Sequence, residues 1–562
     1  MWRGPLSGVL VQELLVTKPV PIVDIFSGPG GLAEGFSAFR CPNERQGYRV
    51  ALSIEKDQAA YRTLRLRAFL RKFDRLPPEY YEFLNDMTSG EPNWAELYPE
   101  HWTAACEETR CMELGERRTR DFVRQRVEII RSEHGGRTVL LGGPPCQSYS
   151  VVGRSRNAGN ALYDPDRDDR QSLYREYVYV LRRLKPAVAV MENVKGMLSA
   201  RHNGQLLFPK VMRALARKSG STRYWLFALA SRSGARSWHQ GALPQDFLVN
   251  AEAHGVPQTR HRVFVVCIRD DIASTLPMEL WPRLEPRDDT VSLQEIIGSM
   301  PRLRSRLSRG DSPDSWRAAV RRAHDLVRVN QPVMSRDEEN RFHRALGCAL
   351  ATADEAAPPC RNSRGGMDIT RDCPHELREW LLDENLEALP NNETRAHIPD
   401  DLARYLYVVA FGQTFGRSPK TSDFPDVLAP PHTSWHTGKF DDRYRVQLPD
   451  RPCTTVTSHL SKDGHYFIHP DPGQVRSLTV REVARLQTFP DNYFFHGSRT
   501  EQYIQVGNAV PPFLASQLAR LVWAVLNHHD DVRRCPGRPA SLPIPKPVHQ
   551  GTQLPLVTME TT

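Results

Sequence analysis

The chain has 562 residues, 40% hydrophobic and 25% charged, and its 75 Lys and Arg against 66 Asp and Glu give a net charge of +9. These values exclude a mainly disordered chain, a collagen-like fibre and a small disulfide-stapled scaffold, and the length exceeds the roughly 250–300 residues at which one hydrophobic core stops growing. The positive charge is mostly Arg, 64 against 11 Lys; guanidinium forks suit phosphates and guanine edges, although GC-rich codon usage would give the same bias.

Ten cysteines are scattered along the chain without a Cys-x-x-Cys pair, so neither structural zinc nor a disulfide framework is expected, and no metal site is assigned. The N-terminal segment lacks the pattern of a signal peptide, and no run of about 18 apolar residues occurs. The expectation is a soluble cytoplasmic protein with no membrane partner.

In chain order, the first predicted strand is PIVDIF at 21–26, which runs from Asp24 through Phe26 and Ser27 into a turn with Gly28, Gly30 and Gly31. Glycines at a strand's carboxyl end let a ligand approach the backbone closely, though a tight turn with no ligand would use the same residues. The second strand, RVALSIE at 49–55, ends in Glu55, 24 residues after Gly31, a position that suits a ribose diol. A third strand, RTVLLG at 137–142, leads into LLGGPPCQSYS, where Pro144 and Pro145 stiffen the turn that presents Cys146. A free cysteine is usually a small buried hydrophobe, but a thiol held at a strand tip by two prolines reads as a nucleophile.

PAVAVMEN at 186–193 places Glu192 and Asn193 at the next strand tip, facing the crevice expected for Cys146; a thiol and a carboxyl group in one pocket can act as nucleophile and acid. YWLFALA at 224–230 and HRVFVVCI at 261–268 complete the strands, and 171–185 and 204–219 read as crossover helices. Near-continuous apolar strands point to a doubly wound, mostly parallel α/β sheet. Arg260 and Arg262 alternate at the start of the last strand and are expected to share a face.

From residue 270 the pattern degrades into Arg- and Pro-rich sequence, with an Arg-rich helical stretch around 302–328, and is read as a second, smaller and irregular domain over 270–475. Helices return over 476–527, and residues 528–562, with six prolines from 536 onward, are expected to form a disordered tail.

These motifs, in this order, resemble the DNA cytosine-5 methyltransferases of bacterial modification systems. The resemblance covers the loop from Asp24 to Phe36, the Pro-Cys loop, Glu192-Asn193-Val194, Gln258-x-Arg260-x-Arg262, TVREVARLQTFPD at 479–491 and QVGNAVPP at 505–512. It implies a Rossmann-like methyltransferase domain over 1–269, a target recognition domain over 270–475 and a C-terminal completion that returns to the first strand. S-adenosylmethionine would be the cofactor and S-adenosylhomocysteine its product. The cofactor site would comprise Asp24, Phe26, Ser27, Gly28, Gly30, Gly31, Glu55, Pro144, Asn508 and Val510, with Asp86 as the closest counterpart of the family's adenine-contacting acid. Lys56 stands where many members carry an aromatic residue.

The implied reaction uses Cys146, Glu192, Asn193, Arg260 and Arg262: attack of Cys146 on C6 of a flipped cytosine in duplex DNA, with Glu192 at N3 and Arg262 at O2. A monomer suffices for this chemistry, and a cognate restriction endonuclease would be its partner in the cell. Two alternatives share this core, a tRNA-directed enzyme and a catalytically silent DNA-binding relative.

Overall fold

Six consecutive buried residues, VPIVDI, form β1 (Val20–Ile25), and their lack of alternation reflects a strand covered on both faces. The computed structural model describes residues 18–41, 44–145, 173–202, 204–231, 234–361, 365, 368–431, 435 and 441–534. After β1 come β2 (Tyr48–Glu55), β3 (Thr109–Cys111), β4 (Val139–Gly142), β5 (Val188–Val194), β6 (Tyr224–Phe227), β7 (Leu248–Asn250) and β8 (His261–Arg269). The sheet runs β3-β2-β1-β4-β5-β8-β6, with β7 also paired to β8. Strand order reverses between β1 and β4, where Ile25 lies opposite Gly142, and the carboxyl ends of these strands open the crevice typical of doubly wound sheets.

The mostly parallel sheet expected from the sequence is present, with two refinements. β8 runs antiparallel to β5, β6 and β7; residues 251–260, with a 3-10 turn at Ala251–His254 and the short Gln258–Thr259 strand, connect β7 to β8, and a parallel return would need a longer crossover of its own. β3 is only three residues long and has no apolar run by which the sequence could announce it.

Helices α1 (Gly31–Ser37), α2 (Gln58–Leu70), α3 (Arg117–His134), α4 (Tyr174–Leu184) and α5 (Leu207–Ala216) accompany these strands. On one face, α3, α4 and α5 bury Val127, Tyr177, Val180, Leu181 and Val211 against Val23, Ile25 and Val265. The other face is covered by α1 and by the last helix among the described residues.

In the second half, α6 (Pro313–Val329), α7 (Arg336–Glu355) and α8 (Pro399–Phe415) pack around Trp316, Phe342, Leu346, Leu406 and Val409. The region expected to be irregular is therefore built on three long helices. α6 and α7 begin with serine N-caps at Ser312 and Ser335, each supplying an acceptor for an otherwise orphaned backbone N–H.

The C-terminal part contains α9 (Val480–Leu486), α10 (Arg499–Asn508) and α11 (Pro512–Arg534). α11 buries Leu514, Leu518, Val522 and Val525 in the core that holds Val20 and Phe36, each worth roughly 1.5–3 kcal/mol relative to exposure. Tyr48 on β2 donates to the Ala519 carbonyl at 2.8 Å. α11 continues past residue 527, where the sequence led us to expect a tail. No proline intervenes before Pro536, and Asp530 pairs with Arg137 at 2.7 Å.

A separate core joins Ile296 and Leu377 to Cys453, Val483, Phe489 and Val506, so the regions on either side of residue 475 share buried surface. Arg476 ties them further: its guanidinium contacts Glu482 at 2.8 and 2.5 Å and the Leu303 carbonyl at 3.1 Å.

Candidate active site

The first wall of the crevice is the turn after β1. Phe26 and Gly28 each have φ of 56° and Gly30 has φ of 99°, so the chain crosses the left-handed region that glycine favours. A Cβ on Gly28 would meet nothing within 4 Å, whereas one on Gly31 would lie 2.2 Å from the Val510 carbonyl oxygen. Gly28 thus faces open space, and Gly31 is the point where the C-terminal segment presses on the turn. Tyr493 clamps the same turn from the C-terminal side by donating to the Pro29 carbonyl.

Glu55, at the tip of β2, accepts from the backbone N–H groups of Gly28 at 2.8 Å, Lys56 at 2.9 Å and Asp57 at 2.8 Å. Burial nevertheless holds its carboxyl above the usual carboxylate range. Ser27 donates to the Asp24 carbonyl at 2.9 Å. The carboxylate of Asp24 is fully buried, and neither oxygen has a hydrogen-bond partner among the described residues. Burial pushes its pKa up to about 7. An unsatisfied buried carboxyl group beside an open glycine turn suits a ligand that brings its own N–H or O–H donors.

The second wall is the tip of β5. Glu192 Oε1 lies 3.2 Å from Arg262 Nε, with side-chain exposures of 12% and 15%. Residues 192 and 262 meet because β8 runs antiparallel along β5, setting Arg262 opposite Val194 and Phe264 opposite Glu192. Burial raises the carboxyl of Glu192, and Arg262 followed by Arg260 partly offsets that rise. A Cβ on Gly143 would sit 2.8 Å from Glu192 Oε2, so glycine is what allows the acid to lie against the strand that leads to residue 146. Asn193 holds the same segment by donating to the Pro144 carbonyl at 3.1 Å while accepting from Val194 N–H at 2.8 Å. Asn193 is therefore a positioning residue. Cys146 lies outside the described residues.

Two expected site residues have other tasks. Arg260 does not share the face of Arg262: it precedes β8, is 1% exposed, and donates to the carbonyls of Val456 at 2.9 Å, Gly507 at 3.3 Å and Ala509 at 2.7 Å. The alternation fails because Gln258–Thr259 pairs with Cys453–Thr454 as a separate two-residue ladder, and the backbone turns before β8 begins. Asp86 is exposed, and it accepts from Thr88 N–H at 3.1 Å to cap a 3-10 turn. The strand that follows β2 in the sheet is β3, so the crevice beside Glu55 is bordered by Cys111, Met112 and Glu113. Met112 N–H donates to the Glu55 carbonyl at 3.0 Å, and Glu113 pairs with Lys56 at 3.0 Å. The sequence could have shown this only through the short TRCMEL segment before the helix at 117.

Other connections carry no motif signal of their own. Gln258 donates to the Leu486 carbonyl at 2.9 Å and accepts from Val456 N–H at 3.1 Å. Asn508 is exposed at the end of α10, two residues before Val510 reaches Gly31.

The model of the C-5 cytosine-specific DNA methylase family matches residues 128–523. The chain is 28% identical over 529 residues to the type II methyltransferase M.Bpa9945I of Bacillus paralicheniformis, covering 90% of this chain and 99% of that one. It is 24% identical over 512 residues to the type II methyltransferase M.DdeI of Desulfomicrobium norvegicum, covering 89% and 88%. To the DNA (cytosine-5-)-methyltransferase M.ApeKI of Aeropyrum pernix it is 27% identical over 410 residues, covering 69% and 81%.

Proposed function

The chain belongs to the C-5 cytosine-specific DNA methylase family, and from that premise we propose that it methylates a flipped cytosine within a specific duplex sequence through a covalent Cys146 adduct. The supporting observation is the buried Glu192–Arg262 pair lying against Gly143, three residues before Cys146.

Cytosine C5 is a weak nucleophile until a group adds at C6. The Cys146 thiolate adds there and forms an S–C6 bond, while Glu192 gives a proton to N3 so that the ring does not accumulate full negative charge. Arg262 is held by Glu192 through Nε and by the His261 carbonyl through Nη1 at 2.9 Å. Its remaining edge faces O2. After C5 is methylated, loss of the C5 proton and expulsion of the Cys146 thiolate, with N3 returning its proton to Glu192, restore the aromatic ring. A stacked duplex hides all of these atoms, so the nucleotide leaves the helix first.

Bound S-adenosylmethionine supplies the electrophilic methyl group. The open turn at Gly28 and the unpartnered Asp24 carboxyl suit such a group: Gly28 would leave room for it, Glu55 would hold the ribose hydroxyls, Phe26 would pack on the adenine, and Asp24 would accept from its donors. Asn508 and Val510 close its methionine end. Residues 270–475 would read the target sequence. The enzyme would work as a cytoplasmic monomer in a restriction-modification system, paired with an endonuclease of the same specificity.

Bisulfite sequencing of DNA from a host expressing the chain tests this reading. We expect protected cytosines confined to one sequence context, and their disappearance with Cys146→Ala. Methyl transfer from labelled cofactor to tRNA but not to duplex DNA would overturn it.

A further inference from the structure

The net charge of +9 is unevenly placed. Residues 270–475, expected to read the target, carry 26 Lys and Arg against 32 Asp and Glu and are net acidic. The excess lies on the sheet face covered by α3, α4 and α5. Residues 117–134 hold six Arg, 174–185 three Arg and one Lys, and 207–223 three Arg and two Lys, against four Asp and Glu in total. This flank is therefore more positive than the whole chain. The segment between α3 and α4 does not offset it, because 146–172 holds four Arg and four Asp.

The charges converge on a groove of about 720 Å³, to which Arg131, Arg175, Arg182, Arg183 and Lys185 contribute. Glu128 is its one acid, already paired with Arg183 at 3.1 Å. Among the described residues, Arg131, Arg175, Arg182 and Lys185 form no ion pair, and the buried Nε of Arg182 has no hydrogen-bond partner. Arg183 also rests over the Tyr179 ring, 5.6 Å from its centroid. The groove offers cations and tyrosines and no exposed aliphatic side chain for a lipid surface.

Its lower end lies far from the chemistry. Arg269 bonds the carbonyls of Gly136 and Lys185, both at 3.0 Å, which places Lys185 at the amino ends of β4 and β5. Glu192 is near the opposite end of β5, seven residues on, or about 20 Å at roughly 3.3 Å per residue. The end of the groove marked by Lys185 is therefore remote from Glu192.

We propose that the α3–α4–α5 flank binds the phosphodiester backbone of a second segment of duplex DNA, separate from the one in the reaction crevice. The inference rests on the chain acting on DNA. On a long molecule the second contact would hold the enzyme while the crevice samples new sites, since backbone contacts give affinity without reading sequence.

The test uses the full chain and the triple variant Arg131→Gln, Arg175→Gln, Arg183→Gln, all exposed positions. Affinity for a duplex of several hundred base pairs is measured against salt, and kcat is measured on a duplex of about 20 base pairs carrying the mapped site. We expect log K against log salt to flatten by about 2.7, from roughly 0.9 per lost phosphate contact, with kcat on the short duplex within twofold of the parent. An unchanged slope overturns the flank site. So does a loss confined to binding of acidic protein or heparin. A parent chain that fails to methylate any duplex overturns the functional reading instead.

Discussion

Replacing Glu192 by Gln is expected to lower kcat about 100- to 10,000-fold, the range over which a positioned general acid contributes, with duplex affinity changed by no more than a few-fold. The amide has the same shape and still reaches Arg262, but it has no acidic proton to deliver to N3 as Cys146 adds. Because burial raises the Glu192 carboxyl, the protonated form persists to higher pH than for an exposed glutamate. Its loss should appear as a falling limb in kcat as pH rises through the raised pKa, and that limb should be missing from the residual activity of the Gln variant. Arg262 works against the raise, so Arg262→Gln should move the limb to still higher pH. Full activity in Glu192→Gln, with an unaltered pH profile, would remove the acid from the mechanism.

Arg260→Met should act on stability instead, at a cost of about 1–3 kcal/mol for each buried carbonyl that loses its donor. Arg260 joins three separate segments through the carbonyls of Val456, Gly507 and Ala509. Methionine would fill the volume but take away the guanidinium donor from the buried Val456 and Gly507 carbonyls. Gln487 also donates to Ala509, and Gln258 connects Leu486 to Val456, so the loosened region includes the approach of Val510 to Gly31. The expected signature is a lower Tm and weaker cofactor binding, with kcat of the folded fraction preserved. Arg260→Lys should recover only part of the loss, since an ammonium cannot span three carbonyls as the planar fork does. A variant that melts like the parent but has lost kcat would return Arg260 to the pocket.

These two arginines show where sequence reading succeeded and where it stopped. Apolar strands ending in Asp24, Glu55 and Glu192 were legible because a parallel sheet demands buried runs, and an acid at such a tip stands out against them. The partnership of Glu192 with Arg262 was also within reach, since both lie at strand ends. The task of Arg260 was not, because it depends on a ladder between residues 258–259 and 453–454, almost two hundred positions apart. Asp86 drew attention as an acid after β2, whereas β3 is three residues long and leaves no periodic trace. Of the helices of 313–415, the first was legible in the Arg-rich helical stretch around 302–328, and the other two were hidden by irregular sequence around them, although a serine cap at 335 marked one of their starts. Charge misled in a similar way. The Arg-rich stretch near 302–328 drew the eye, while neighbouring acids leave the recognition region negative and the excess sits on α3, α4 and α5.

The covalent step is the centre of the account, and one measurement addresses it directly. The purified chain is incubated with S-adenosylmethionine and a duplex carrying 5-fluorocytosine at the mapped target, where fluorine at C5 cannot leave as a proton does. A protein–DNA complex is expected that survives denaturing electrophoresis, needs the cofactor, and is lost in Cys146→Ala. Methylation of the unmodified duplex at a normal rate with no such complex, or a complex that persists in Cys146→Ala, would contradict it.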